Sequence, residues 1–346
     1  MLKILNKLSD KILALPSHRL YEELPDPTLV HIKGKREPAL FLTVLLHGNE
    51  NSGWEVVKNI LNKYKEEKLP RSLSIFIGNV KAARYKKRKL ETQTDFNRIW
   101  GTGETPEHIM VQSVIKTMRE RKIFASIDIH NNNGLNPHYA CINKLDSRFL
   151  KLAREFSRIV IYFIRPTGVQ SLAFSELCPS VTLECGQPGD EYGIQLATHY
   201  VDKILHLEKL KAESGIEDKI DLYHTIGIAK IPEDLDFSFN GKKADIEFIK
   251  GIETLNFEEI SDDTLLGKVK DNITKPLIVI NEEGEDVFDK YFSINDNNIV
   301  TKLAIVPAML TTDKNIVRQD CLCYLMERYD LKQGEKTLKD NASLWA

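Results

Sequence analysis

The chain has 346 residues, 42% of them hydrophobic and 28% charged, with 48 basic against 50 acidic side chains and a formal net charge of −2. That length exceeds one comfortable hydrophobic core and predicts a large domain with a smaller companion. The basic residues are scattered, apart from Lys86-Lys87-Arg88-Lys89, and give no footprint for nucleic acid. No stretch approaches the length of a membrane span, and the charge-interrupted start Met1 to Leu8 lacks the apolar core of a signal peptide. A cytoplasmic protein with no membrane partner is therefore expected. The five cysteines, Cys141, Cys178, Cys185, Cys321 and Cys323, are an odd number without CxxC pairing, which argues against a disulfide framework and against a thiolate metal cage.

From Ala39 to about Leu207, short apolar runs alternate with amphipathic stretches, the pattern of an α/β domain built on a central sheet. Strands are predicted over Leu40 to Leu46, Leu73 to Val80, Phe124 to Ile129, His138 to Ile142, Ile159 to Phe163 and Val181 to Cys185. Between the first two, Trp54, Val57, Ile60 and Leu61 recur at helical spacing and predict a helix over Ser52 to Tyr64, with Ser52 placed to cap it. Further helices are predicted over Glu107 to Arg119, Ser147 to Ser157 and Glu191 to Leu210. Beyond Leu207 the chain becomes charged through Ser214-Gly215 to Asp221, then β-rich at Thr225 to Ile231, Pro276 to Ile280 and Val300 to Leu310. Acidic turns fall at Asp262-Asp263 and Glu282-Glu283-Gly284-Glu285. The reading is a catalytic domain over 1–210 and a β-rich domain over 222–335, with no internal repeat.

The apolar run at Leu40 ends abruptly in His47-Gly48-Asn49-Glu50, which puts an imidazole and a carboxylate where α/β enzymes place their chemistry, at the carboxyl end of a strand. A third ligand from a neighbouring strand end would leave one zinc position open for water. His-x-x-Glu alone is weak, since a Glu-rich chain with nine histidines produces it by chance roughly once. Asp128-Ile129-His130 ends a second apolar run, and Asp128 is close enough to take the other ring N–H of a ligand histidine. In Val181-Thr182-Leu183-Glu184-Cys185-Gly186, a lone acid interrupts an apolar strand. Burial of an unpaired carboxylate is costly enough to need a reason, although the alternation with Thr182 fits a solvent-facing residue equally well. Asp95-Phe96-Asn97-Arg98 sets a guanidinium beside an amide, a pairing suited to a carboxylate, with an ordinary surface ion pair as the plainer role for Arg98. Arg88 sits upstream, where a solvated loop cation is the plainer role.

In this order and spacing the four motifs resemble the succinylglutamate desuccinylase and aspartoacylase family of the zinc carboxypeptidase-like (M14) superfamily, over roughly residues 39–200. The resemblance implies a zinc-carboxypeptidase-like mixed central sheet flanked by helices, with one zinc per chain held by His47, Glu50 and His130. It implies Glu184 as general base and then acid, Asn97 and Arg98 on a substrate carboxylate, and Arg88 polarising the scissile carbonyl. Arg88 is assigned by counting from Asn79, with two extra residues then preceding Asp95. The β-rich tail corresponds to the smaller carboxyl-terminal domain of these enzymes, which narrows the mouth of the active site. The tyrosine and arginine that aspartoacylase sets ahead of its catalytic glutamate correspond here to Gln170 and Phe174, which speaks against N-acetylaspartate specificity. No tyrosine near Asn281 to Gly284 matches the one contributed by that family's second domain, so Tyr139, Tyr162 and Tyr192 are the alternatives. The polar segment Asn131 to His138 is expected to line the pocket. A local hydrogen bond is the simplest role for His138, with a substrate or second-metal contact as the alternative. The expected function is a zinc-dependent hydrolase that cleaves an amide of an N-acyl amino acid or similar carboxylate-bearing substrate. A metallocarboxypeptidase and a non-catalytic zinc- or carboxylate-binding module are the alternatives.

Overall fold

The structure, a computed structural model describing residues 2–132, 134–211 and 215–331, divides into two units: Met1–Asn132 with His138–Asp221, and Asn133–Pro137 with Leu222–Ala346. Asn133, Ser214 and residues 332–335, which enter the readings above, lie outside the described residues. The first unit runs through β1 (Lys3–Leu5), α1 (Asp10–Leu13), β2 (Thr28–Ile32), β3 (Ala39–Val44), α2 (Ser52–Lys63), β4 (Leu73–Ile77) and α3 (Val80–Ala83). It continues with α4 (Pro106–Arg121), β5 (Ile123–His130), β6 (Tyr139–Ile142), α5 (Ser147–Arg154), β7 (Ile159–Tyr162), α6 (Gln170–Phe174), β8 (Ser180–Glu184) and α7 (Glu191–His206).

Its strands lie in the order β1-β2-β4-β3-β5-β8-β6-β7. The centre, β4-β3-β5-β8, is parallel, while β2 and β6 run antiparallel to β4 and β8, so the sheet is mixed. All six residues of β3 and all five of β8 are buried, as expected where helices cover both faces of a parallel sheet. α2 buries Trp54, Val56, Val57 and Ile60, and Lys63 and Tyr64 at its end both bond Asp202 of α7, at 2.8 and 2.5 Å. Near the start of the sheet, Phe174 stacks on Phe41 with ring centroids 4.7 Å apart and meets Trp100 edge-on.

Several boundaries differ from the sequence reading. Gly78 and Asn79 stop β4 at Ile77, and the Asn79 side chain accepts the Ala82 N–H at 3.1 Å, capping α3 where strand was predicted to continue. Ser52 is the first helical residue of α2 rather than its cap, and Asn51, in the cap position, makes no side-chain capping bond. α7 ends at His206, four residues short of the predicted Leu210, and α5 at Arg154, three short of Ser157. β1 and β2 were not predicted, although Thr28-Leu29-Val30-His31-Ile32 carries the β-branched signal of a strand.

The second unit contains β9 (Asp221–Lys230), β10 (Phe237–Ser238), β11 (Ile246–Phe248), β12 (Leu265–Val269), β13 (Ile278–Ile280), α8 (Phe288–Tyr291), β14 (Phe292–Asn295), β15 (Asn298–Thr301), β16 (Val306–Ala308), α9 (Lys314–Gln319) and β17 (Cys323–Arg328). β9 pairs with both β13 and β17, and β17 with β16. A second sheet has the order β10-β11-β12-β15-β14. Among the described residues this unit is β-rich with two short helices, α9 being capped by the Asp313 side chain. The five cysteines are buried thiols. Among the described residues no helix is long and apolar enough to cross a membrane.

Candidate metal-centred active site

Three adjacent parallel strands carry the site. β3 leads into His47 through Leu45, which takes a left-handed φ of 56°, β5 ends on His130, and β8 ends on Glu184. Register places His130 directly beside Glu184, and Thr43 beside Asp128. The turn after β3 is close-packed: a Cβ on Gly48 would lie 2.2 Å from the Ala83 nitrogen and 2.3 Å from the Ala82 carbonyl carbon, so only glycine fits.

His47, Glu50 and His130 are buried, and each offers a ligand atom within 4.8 Å of the others. Both rings face the same carboxylate: His47 Nδ1 lies 2.7 Å from Glu50 Oε1, and His130 Nδ1 lies 2.7 Å from Glu50 Oε2. The far nitrogens are also held, His47 Nε2 by Asp95 at 3.1 Å and His130 Nε2 by Asp128 at 2.9 Å. With each Nε2 held outward by an acid, Nδ1 is the ring nitrogen turned toward Glu50, the orientation that carboxylate partners impose on metal-binding imidazoles. Asp128 is fixed in turn by the Thr43 hydroxyl at 2.6 Å, and Asp95 by Arg88, whose Nη2 is 2.9 Å away. Asp128 is thus a buried partner of His130, and Arg88 is a buried ion-pair member rather than a solvated cation.

Electrostatics follow from crowding these groups out of water. Burial alone would raise Glu50, but the facing His47 and His130 reverse the sign and hold its carboxyl well below the ordinary range. Asp95 behaves likewise: burial opposes ionisation, and His47 and Arg88 overcome it. Burial disfavours charge on His130, yet Asp128 and Glu50 push its pKa well above the usual imidazole value. Glu184 is the opposite case. It is buried, its Oε2 has no hydrogen-bond partner among the described residues, and desolvation pushes its carboxyl up to about 8 against the partial relief of His130. The solvent-facing reading of Glu184 is therefore excluded.

Asn97 reaches the same cluster. Its Oδ1 accepts the Gln170 backbone N–H at 3.2 Å, which fixes the amide so that Nδ2 faces His130 Nε2 at 3.4 Å. Arg98 turns its Nη1 back to the Asn97 carbonyl at 2.8 Å. Gln170 itself is buried, donating to Ser126 Oγ at 2.7 Å, and Phe174 is packing in the core. His138 Nε2–H donates to Asp190 Oδ2 at 2.9 Å under the exposed ring of Tyr192, its local role. Tyr139 is buried in register with Glu184. Sequence reasoning missed the Asp95 contact with His47, which a loop supplies, and the buried amide of Asn131, taken for a pocket-lining residue. Its backbone N–H donates to Glu50 Oε2 at 3.2 Å, and its side chain bonds backbone groups.

The family profile of the succinylglutamate desuccinylase/aspartoacylase catalytic domain matches residues 36–131, which span β3, α2 and β5 with the His47, Glu50 and His130 turns. This segment belongs to that family. No curated protein is significantly similar in sequence. Among solved structures, the chain is similar to succinylglutamate desuccinylase from Chromobacterium violaceum, at 16% identity and a TM-score of 0.53, covering 86% of this chain and 87% of that one. It is similar to murine aminoacylase 3, at 16% identity and a TM-score of 0.54, covering 85% and 97%. The product-bound ectoine utilization protein EutE (DoeB) from Ruegeria pomeroyi is also similar, at 15% identity and a TM-score of 0.52, covering 86% and 88%. At these identities the structural likeness establishes the fold. Family and fold together indicate a hydrolase.

Proposed function

We propose that the chain is a zinc-dependent amidohydrolase that splits the acyl–nitrogen bond of an N-acyl amino acid or a similar small, carboxylate-bearing amide. The observation that carries this reading is the buried carboxyl of Glu184 at the strand end in register with His130, beside the buried His47, Glu50 and His130 cluster. A carboxyl so placed is suited to take a proton and later return it.

The donor set fits zinc. Two imidazole Nδ1 atoms converge on one carboxylate, with both Nε2 atoms anchored by acids, and a His2Glu set leaves a position open. Held by His47, Glu50 and His130, zinc would supply a Lewis acid for the scissile carbonyl and lower the pKa of the hydrolytic water. Glu184 accepts the proton of the attacking water and delivers it to the departing amine. Arg88, locked on Asp95, contributes fixed positive charge where the carbonyl oxygen becomes negative. Asn97 Nδ2, aimed by the Gln170 N–H, and Arg98 hold the substrate carboxylate. The family match and the folds of a desuccinylase and an aminoacylase support the choice of N-acyl amino acids over peptides.

The test pairs metal analysis with turnover. About one zinc per chain, lost in His47→Ala together with hydrolysis of a panel of N-acyl amino acids, is the expected result. Release of carboxyl-terminal residues from blocked peptides without action on the panel would replace this reading with a carboxypeptidase. Failure to take up metal, with no hydrolysis, would replace it with a binding module.

A further inference from the structure

The Oε2 of Glu184 has no hydrogen-bond partner among the described residues, so the course of its backbone matters to where the carboxyl points. Strand pairing to β5 and β6 holds Glu184 itself, and just beyond it the turn is held by one side chain that follows β5. Asn131, the residue after His130, is 2% exposed. Its Nδ2 donates to the carbonyls of Gly186 at 2.9 Å and Gln187 at 3.2 Å, with the Cys185 carbonyl at 3.5 Å. The same amide faces the first turn of α2, where Oδ1 accepts the Ser52 N–H at 3.1 Å and Nδ2 reaches Ser52 Oγ at 2.8 Å. Its backbone N–H bonds Glu50 Oε2 at 3.2 Å, and the N–H of Asn132 adds a second bond to the Gly186 carbonyl, at 3.0 Å. Gly186 itself sits at φ 71°, a left-handed turn that sends the chain away immediately after Glu184 and Cys185.

We propose that Asn131 is a positioning residue: one buried amide that clamps the turn carrying Glu50 to the strand end carrying Glu184, and so sets the placement of the base relative to the metal-ligand cluster. The side chain touches neither substrate nor reacting atoms. It acts by donating to carbonyls one to three residues beyond Glu184 while accepting from the helix that begins two residues after Glu50. Only an amide supplies both polarities here, because the Ser52 face needs an acceptor and the Gly186 face needs a donor. The proposal rests on the zinc-hydrolase reading for its effect on turnover, but the clamp itself is independent of it.

Asn131→Asp keeps the shape and the acceptor toward Ser52 and sets an oxygen against the Gly186 and Gln187 carbonyls. Asn131→Ser withdraws from both carbonyls without adding charge, and serves if the aspartate variant does not fold. Both would be loaded with zinc and studied well below their melting temperatures. The expected result is kcat lowered by about 10–100-fold, the scale of a displacement of roughly 1 Å at a catalytic group, with KM and zinc affinity within about threefold of wild type. Hydrogen exchange should rise at residues 185–190 and stay unchanged in β3 and β5. A merely structural role would lower melting temperature and leave kcat of the folded, loaded enzyme intact. Unchanged kcat, or unchanged exchange at 185–190, overturns the proposal. If wild type itself hydrolyses nothing, the function reading fails and the exchange result still decides whether Asn131 is the clamp.

Discussion

Asp128→Asn isolates the tautomer argument, because it changes one atom of a fully buried side chain and almost nothing of its volume. Asp128 accepts from the Thr43 hydroxyl through Oδ1 and from His130 Nε2 through Oδ2. In the amide, the remaining oxygen can keep the Thr43 bond at 2.6 Å, which leaves an NH2 group 2.9 Å from His130 Nε2. Two donors cannot share that contact, so the imidazole moves its proton to Nδ1, the atom that faces Glu50. The lone pair needed for a metal is lost unless the ring pays tautomerisation or the amide flips and abandons Thr43. Loss of such an outer carboxylate lowers metal affinity by about 10–100-fold, equivalent to roughly 1.4–2.7 kcal/mol. Competition with a chromophoric chelator would measure zinc affinity, with the circular dichroism of the chelator-treated protein as the control for folding. Zinc affinity within about threefold of wild type in a folded variant would refute the claim that Asp128 sets the tautomer of His130.

Glu184→Gln should retain zinc while turnover of an N-acyl amino acid falls by about two orders of magnitude or more, followed by steady-state kinetics and metal analysis. In the chelator-treated protein the Glu184 carboxyl lies near 8 against an ordinary 4.5, so the folded chain binds the extra proton between those values. Stability is then fully present below about pH 4.5 and falls as pH rises through about 8, by on the order of a few kcal/mol. Melting curves should show a shallower fall in Glu184→Gln than in wild type, with the contribution of His130, whose pKa is also raised, remaining; identical slopes would contradict the burial argument. Zinc uptake at pH 7 should release protons, because Nδ1 of the charged His130 must give up its hydrogen to a metal, and calorimetry in buffers of differing ionisation enthalpy would detect it. Gly48→Ala drives a methyl to 2.2 Å from the Ala83 nitrogen and should cost at least about 1–3 kcal/mol in denaturant midpoint experiments. Phe174→Ala removes the ring stacked on Phe41 and should cost about 3–5 kcal/mol while leaving KM near wild type, since the residue is core rather than substrate-facing.

The strands that carry the site were readable because β3, β5 and β8 are mainly apolar and almost wholly buried. His47 and Glu50 follow the apolar stretch that includes β3, and His130 ends β5, which is why these positions drew notice in the sequence. The period-2 argument for a solvent-facing Glu184 failed because both faces of β8 are buried, so alternation carries no information about exposure there. Asp95 was quoted within a motif but not joined to His47, since that contact is made 48 residues away through a loop whose course periodicity cannot specify. Asn131 was equally opaque: an asparagine after a ligand histidine reads as loop polarity, and only the proximity of Ser52 and Gly186 reveals an amide spent entirely on buried groups. Gln170 and Phe174, read as departures from the residues that aspartoacylase sets ahead of its catalytic glutamate, are both turned inward by the short helix α6, one onto Ser126 and the other onto Phe41.

The site's carboxylates explain why these features belong together. Glu50, Asp95, Asp128 and Glu184 are gathered around two imidazoles and Arg88, more negative charge than the fixed cation balances. Without metal, protons restore the balance: His130 is held charged between Glu50 and Asp128, and Glu184 is driven toward its neutral acid. A divalent cation among His47, Glu50 and His130 replaces the proton on the imidazole and adds positive charge beside Glu184, which would pull that carboxyl down from about 8 into the range of a working base. The same crowding of acids would favour a cation among these groups, and on the proposed reading the protonation state of Glu184 would then depend on whether a metal is bound.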